Sequence, residues 1–148
     1  MDSVSPEKRS WVMAQVKGRD TKPEKAIRSL LHRMGYRFRL QRKDLPGKPD
    51  IVLPKYHAVI FVHGCYWHRH DCPNGRRLPK SRLDYWLPKL EGNKKRDVNN
   101  QVLLRELGWS VLVLWECMLR HEDYLKRTIC DFLANCPMAH EQRKRKKL

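Results

Sequence analysis

The chain is poor in acidic residues and has no long hydrophobic segment. No apolar run is long enough to span a bilayer, and the N-terminus lacks the hydrophobic core of a secretory signal, so we expect neither a membrane protein nor a secreted one. Sixteen Asp and Glu stand against 32 Lys and Arg, a formal net charge of +16 at pH 7. Because such an excess repels itself in a folded chain, the composition favours a polyanionic partner over a merely basic surface.

The five cysteines are an odd number, so they cannot all pair in a disulfide framework. Three histidines lie in the same short stretch as the first two cysteines. A reduced cytosolic protein with a metal site explains this distribution better than secreted disulfides do. At 148 residues the chain has the length of one domain with a sizeable core.

The hydrophobic pattern predicts an α/β sandwich around a short mixed sheet. Thr21 and Glu24 have the spacing of a capping box, which places a helix start there, and Gly35 marks its end. The buried face of this helix is expected to comprise Ala26, Ile27, Leu30, Leu31 and Met34. The remaining elements are expected as strands over 36–40, 50–53 and 58–62, a helix over 96–107, a strand over 109–115 and a helix over 122–133.

The segment from 61 to 72 holds residue types that bind zinc. Cys65, His70 and Cys72 form a compact C-x4-H-x-C cluster, and Cys117, just past a predicted strand, is the best fourth ligand. Four protein ligands would make the site closed and structural. Two alternatives remain at this level: the residues are ordinary reduced thiols beside surface histidines, or His68 is the ligand in place of His70.

A second group of residues fits metal-assisted hydrolysis. Asp50 begins a strand after a proline-containing turn, so its carboxylate points to a sheet edge, where Mg²⁺ could combine it with a backbone carbonyl and phosphate oxygens. His68, held between expected zinc ligands, suits a general base. The other interpretation of Asp50 is a turn-capping aspartate, which local sequence supports equally well.

With these residues in place, the sequence resembles the very short patch repair (Vsr) DNA mismatch endonucleases. The resemblance runs from about Arg19 to Arg120 in the family's order and leaves the basic C-terminal tail outside. The matching pieces are Thr21-Lys22-Pro23-Glu24-Lys25, Leu45-Pro46-Gly47-Lys48-Pro49-Asp50-Ile51-Val52, Val59 to His68, Tyr85-Trp86-Leu87, Asn93 to Asp97, and Glu106 to Cys117.

The resemblance implies a restriction-endonuclease-like three-layer sandwich with a central mixed sheet and a structural zinc site. Residues 1–20 would be a DNA-contacting arm or helix, 21–136 the endonuclease domain, and 137–148 a basic, flexible tail. The implied activity is a Mg²⁺-dependent nick, with two ions, beside the thymine of a T·G mismatch that arises when 5-methylcytosine deaminates. The implied setting is the bacterial cytoplasm, at the nucleoid, with other mismatch-repair proteins as partners. We expect a monomer.

The resemblance also assigns roles to single residues. Asp50 would bridge the metal ions and the carbonyl of Val62 would be a further ligand. His68 would act as general base or acid. Metal-bound waters or phosphate would be held by Glu24, His63 and Asp97, and zinc by Cys65, His70, Cys72 and Cys117.

The expected contacts to DNA are largely aromatic. The resemblance implies that Tyr66, Trp67 and Trp86 form a wedge that enters the duplex beside the mismatch. Contact with these rings would offset the cost of unstacking the bases. Because a mispaired step opens more easily than a paired one, such a wedge can itself discriminate. Met13, Lys89 and Asn93 fall where the family touches the mismatch.

The sequence departs from relatives of the family in two respects. The wider nuclease superfamily carries an acid-x-Lys pair where this chain has Phe61-Val62-His63, a loss that the Vsr family shares. Within the family, Tyr66 stands where phenylalanine is frequent and Val62 where threonine occurs, and the loop over 73–79 diverges. Two other functions therefore stay open: a related nuclease with another DNA target, and a zinc-stapled DNA-binding protein without activity.

Overall fold

The structure is a computed structural model that describes residues 21–40 and 42–137. The predicted arm over 1–20, with Met13, and almost all of the basic tail over 137–148 lie outside the described residues. Within the described ranges, no helix combines the length and the apolar character that crossing a membrane requires.

Four strands form one mixed sheet, as the sequence predicted. They are β1 (Arg39–Leu40), β2 (Ile51–Leu53), β3 (Ala58–His63) and β4 (Ser110–Trp115), and they lie in that order. β2 runs antiparallel to β1 and β3, whereas β3 and β4 are parallel. This register brings the beginning of β2 and the ends of β3 and β4 to the same edge of the sheet.

Three helices cover the two faces of this sheet: α1 (Lys22–Arg33), α2 (Leu83–Glu106) and α3 (Glu122–Ala134). Helices α1 and α3 bury Ile27, Leu31 and Ile129 against one face, together with Ile60. The other face packs on α2 through a second cluster of buried side chains, Leu45, Val52, Val59, Phe61, Leu104 and Trp109. Every residue of β3 is buried, which confirms the expected central strand.

Helices α1 and α2 end in the same way, with a glycine in the left-handed region. Gly35 and Gly108 have φ of +87° and +91°. At the end of α2, Gly108 N–H donates to the Arg105 carbonyl and Trp109 N–H to the Leu104 carbonyl, the two bonds of a Schellman motif. Trp109 thus belongs to the end of the helix and packs with Leu104, so the strand predicted from Trp109 begins one residue later, at Ser110.

The prediction that α2 begins at Arg96 was wrong, because the helix begins at Leu83 and runs for 24 residues. Pro88 lies inside it and removes one backbone donor, which is why the sequence pattern appeared to be broken there. Burial of Leu90, which is 1% exposed, holds this first part against the rest of the domain and outweighs the local penalty.

Two smaller predictions also needed correction. The strand expected over 36–40 pairs only at Arg39–Leu40. Tyr36 and Phe38 pack against the hydrophobic cluster that α1 and α3 form with the sheet, instead of extending the sheet. In α1, Ala26 is exposed, and the buried residues are Glu24, Ile27, Leu30 and Leu31. The N-cap is as predicted, since the Thr21 hydroxyl accepts a hydrogen bond from Glu24 N–H at 3.4 Å.

Candidate active site and metal centre

A cleft of about 510 Å³ opens at the sheet edge where β2 begins and β3 and β4 end. The first turn of α1 forms one wall through Thr21, Pro23 and Glu24, and α2 contributes Asp97 from the opposite side. The remaining lining residues come from the turn before β2, the end of β3 and the segments after β3 and β4: Gly47, Lys48, Asp50, Phe61, Val62, His63, Gly64, Trp67, His68 and Glu116. All five residues that the sequence named as catalytic therefore lie in one cleft.

Asp50 is fixed at the floor of this cleft. Its Oδ2 accepts a hydrogen bond from Val62 N–H at 2.7 Å, which ties the residue before β2 to the end of β3. Burial raises the pKa of Asp50 to about 7, the Val62 bond opposes this shift, and the neighbouring Glu24 adds to it. A carboxylate that is desolvated and close to a second carboxylate is one that a bound cation would stabilise. The fit of this site to a divalent metal ion is therefore good.

His68 forms the second part of the site. Its Nδ1 lies 2.5 Å from Oδ2 of Asp97, and its ring stacks on His63 with centroids 3.9 Å apart and planes 4° apart. Burial, and then the neighbouring His68, lower the pKa of His63 to about 4, so His63 is neutral at pH 7. Its buried Nδ1 has no hydrogen-bond partner among the described residues. Stacking and the Asp97 contact together hold the His68 ring in one orientation.

The long helix α2 supplies the support for His68. Asn93 and Asp97 lie four residues apart on one face, and the Asn93 side chain donates to the Trp67 carbonyl at 3.3 Å. Glu91, two residues before Asn93 in the helix, forms an ion pair with Arg69 at 3.4 Å. The segment that carries His68 is thus attached to α2 at several points.

Cys65, His70, Cys72 and Cys117 form a separate cluster behind the cleft. One ligand-type atom from each lies within 4.8 Å of the others, and Cys117 Sγ is 3.6 Å from His70 Nδ1. The structure places His70, not His68, beside the three cysteines. A tetrahedral zinc ion takes this donor set, so the residues present fit zinc.

A backbone hydrogen bond favours a thiolate at Cys72, whereas burial opposes one at Cys65 in the absence of a cation. Gly75 N–H donates to Cys72 Sγ at 3.3 Å, and a Cβ on Gly75 would lie 1.9 Å from the His70 carbonyl oxygen, so only glycine fits there. Burial raises the pKa of Cys65 to about 12, which keeps this thiol neutral unless a cation is bound.

Trp115, at the end of β4, lies between the cluster and the cleft. Its indole stacks on His70 at 4.1 Å and contacts His63 edge-on at 5.1 Å. Although Trp115 lies in an apolar strand, its side chain is only partly buried. The indole instead connects the four-residue cluster to the histidine pair.

The aromatic residues expected to enter DNA lie on the accessible side of this region. Tyr66 and Trp67 are partly buried and pack edge-to-face at 5.4 Å, and Trp67 lines the cleft. Trp86 lies in α2, partly buried, with Lys89 Nζ 5.4 Å from its ring centroid. None of the three is a core residue, and the rings keep surface available for stacking.

Sequence reasoning missed some residues of the cleft. Lys48 and Glu116 both line it, yet neither was a candidate. The sequence did indicate that Lys48 lies near the site, because it is two residues before Asp50 in a turn that contains proline and glycine. Glu116 follows β4 directly, at the edge where parallel strands end.

If the four-residue cluster binds zinc, the purified protein should contain about one zinc ion per chain. We expect His70→Ala to lose that zinc and to unfold at a Tm lower by roughly 10 °C, because binding to a closed site stabilises the fold. His68→Ala is the matched control, and it should retain full zinc and a Tm near that of the wild type. Metal analysis and thermal unfolding measure both; zinc lost from the His68 variant and kept in the His70 variant would reverse the assignment.

The chain is similar in sequence to known DNA endonucleases. Residues 1–74 match the family model described as DNA mismatch endonuclease Vsr. The chain is 45% identical over 117 residues to the DNA mismatch endonuclease Vsr of Escherichia coli, which covers 79% of this chain and 74% of that protein. It is 58% identical over 118 residues to the type II nicking enzyme V.XorIIP of Xanthomonas oryzae, which covers 80% of this chain and 86% of that protein. It is 44% identical over 121 residues to the type II nicking enzyme V.NmeAIP of Neisseria meningitidis, with coverage of 82% and 86%.

Proposed function

The chain belongs to the Vsr family of DNA mismatch endonucleases and is a DNA endonuclease, and we propose that it nicks one strand at the thymine of a T·G mismatch. The observation that carries this proposal is the convergence of Asp50, His68 and Asp97 in one cleft that Trp67 also lines. A carboxylate for metal binding, an oriented imidazole and stacking surfaces are the parts that a mismatch-directed hydrolase requires.

Magnesium is the cation that we assign to Asp50, with the carbonyl of Val62 as a further oxygen ligand. Two such ions, when bound, would supply Lewis-acid stabilisation of the attacking and leaving oxygens of the phosphodiester. Glu24 contributes to this environment because its charge acts on Asp50, and its carboxylate also accepts a hydrogen bond from Arg28 at 3.3 Å. In this proposal Glu24 orders water around the ions.

His68 is the proton-transfer residue in the proposed reaction. If Nδ1 donates its proton to Asp97, Nε2 has a free lone pair and can take a proton from the attacking water. Neutral His63 stacks on this ring without charge repulsion when His68 becomes protonated. The unpaired Nδ1 of His63 is available to a phosphate oxygen or a water molecule. The four-residue cluster of cysteines and His70 holds the loop that carries His68 and takes no part in proton transfer.

Recognition of the mismatch is assigned to Tyr66, Trp67 and Trp86. Insertion of their rings beside the T·G pair would replace lost base stacking, and Lys89 and Asn93 would contact the same step. The predicted arm containing Met13 would extend this contact, and the net charge of +16 supplies general affinity for duplex DNA. We further propose that the protein acts as a monomer in the bacterial cytoplasm, at the nucleoid, with other mismatch-repair proteins.

The proposal is tested with three duplexes that differ only in one position: T·G, T·A and C·G. In Mg²⁺, we expect a nick in the thymine-containing strand of the T·G duplex and at least about 10²-fold slower cleavage of the others, since opening a paired step costs more. Denaturing gel electrophoresis of end-labelled strands measures the rates and the position of the nick. Equal cleavage of matched DNA would favour a nuclease with a different target, and binding without any cleavage would favour a DNA-binding protein.

A further inference from the structure

The cleft is rich in negative charge for a site that would receive a phosphodiester. Its described lining contains four carboxylate residues, Glu24, Asp50, Asp97 and Glu116, and one lysine, Lys48; no arginine lines it. A phosphodiester brings its own negative charge, and the charge on its non-bridging oxygens grows towards the transition state. Lys48 is therefore the one side chain of the described cleft lining that carries a permanent positive charge to the substrate.

The backbone at Lys48 is unusual for a lysine. Lys48 N–H donates to the Leu45 carbonyl at 3.1 Å and closes a turn in which Gly47 has φ of +75°. Lys48 itself has φ of +48°, in the left-handed region that side chains rarely adopt. The next residue is Pro49, and a residue before proline normally prefers extended backbone. Glycine would adopt this conformation without strain, yet the chain has a lysine here.

The turn is also fixed in position, so Lys48 cannot easily relax. Leu45 and Pro49 are buried on either side of it. Gly47 lies so close to α2 that an added Cβ would be 2.9 Å from the Cβ of Asn100. Strained residues persist where the surrounding structure determines them, and they concentrate at functional sites.

We propose that the Lys48 ammonium group binds a non-bridging oxygen of the scissile phosphate and stabilises the negative charge that develops there during cleavage. This inference rests on the proposed endonuclease function and adds a substrate-contacting residue to it. The rigid turn places Lys48 two residues before Asp50, so the same short segment would present a carboxylate to the metal and a cation to the phosphate. This role explains why a strained lysine is present here. Glycine would relieve the backbone strain, but it would also remove the positive charge.

The decisive variant is Lys48→Gly. Glycine suits a φ of +48°, so we expect the Tm of this variant to equal or exceed that of the wild type. Single-turnover nicking of the T·G duplex at saturating enzyme should nevertheless fall by about 10²-fold, the usual effect of removing one donor to a developing charge. Lys48→Arg keeps the charge and should recover most of the rate.

Lys55→Ala is the matched control. Lys55 is an exposed lysine in the turn Pro54–Tyr56, at the far end of β2 from Asp50, and its loss changes the net charge equally. This variant should cleave at the wild-type rate. If Lys48→Gly cleaves as fast as Lys55→Ala, or loses only affinity with an unchanged saturated rate, the inference is wrong. If the wild type itself does not nick the T·G duplex, the proposed function fails first, so the two failures are distinguishable.

Discussion

Replacing Asp50 with alanine is expected to abolish nicking, with a loss of at least about 10³-fold in the single-turnover rate. Asp50 is the carboxylate at the floor of the cleft, and burial raises its pKa to about 7. Without it, the cleft loses the carboxylate that accepts the Val62 N–H bond and that the proposal assigns to the metal. The measurement is cleavage of a T·G duplex in Mg²⁺ with enzyme in excess over DNA.

Two controls separate loss of chemistry from loss of folding. We expect Asp50→Ala and Asp50→Asn to bind the T·G duplex nearly as well as the wild type, because neither substitution changes the aromatic side chains Tyr66, Trp67 and Trp86. Because burial raises the pKa of Asp50, its charged form destabilises the folded protein. This loss of stability grows from about pH 4 to pH 7 and is complete above pH 7. Asp50→Asn should therefore have a Tm at pH 8 that is no lower than the wild type's in buffer without added magnesium. Asp131→Ala, an exposed aspartate in α3, should change neither rate nor binding; substantial nicking by Asp50→Ala would reject the metal role.

His68→Ala should produce the second-largest effect, a fall in rate of about 10²- to 10⁴-fold, the range expected for a general base. The reason is the oriented imidazole, which lies 2.5 Å from Asp97 and stacks on His63. Asp97→Asn should also lower the rate, because it removes the carboxylate that orients the ring and favours the tautomer with a free Nε2 lone pair. Single-turnover rates across pH 5.5 to 8.5 measure both variants.

The pH dependence distinguishes proton transfer from a structural role of His68. If His68 is the base, protonation of its imidazole should lower the wild-type rate at low pH. This fall in rate should disappear in His68→Ala. His32→Ala, an exposed histidine at the other end of α1, is the control and should keep the wild-type profile. A His68 variant that retains the full profile at reduced rate would show that the imidazole only positions its neighbours.

The sequence predicted much of the fold because local signals and packing agree in the first half of the chain. Thr21 and Gly35 bound α1 as expected, and the unbroken apolar run of β3 is the buried central strand. The order of helices and strands along the chain is also as predicted. The resemblance to the Vsr family is confirmed by the comparisons.

The start of α2 could not be predicted from local sequence. Pro88 and Gly92 both weaken a helical pattern, and only tertiary burial of Leu90 shows that the helix continues through them. The consequence for the site is large, because Asn93 lies in the part that sequence reasoning left out of the helix. Its position on the same face as Asp97 was therefore not foreseen.

Details of the site depended on long-range contacts that spacing does not encode. Spacing alone left His68 and His70 interchangeable, and the pairing of His68 with Asp97 joins residues 29 positions apart. The apolar sequence of β4 gave no sign of a role for Trp115, but the strand ends at the sheet edge, where its indole reaches two histidines. The position of Lys48 in the turn before Asp50 is visible in the sequence, but its positive φ is known only from the structure.

The central claim, that a metal ion at Asp50 acts beside His68 on one phosphodiester, can be mapped with Fe²⁺ in place of Mg²⁺. In the presence of ascorbate and peroxide, bound iron cuts the polypeptide and the DNA close to itself. The account predicts protein fragments that end near residues 50 and 62–68 and a DNA cut at the T·G step, all absent in Asp50→Ala. Cuts in the protein far from these residues, or the same cuts in Asp50→Ala, would contradict it.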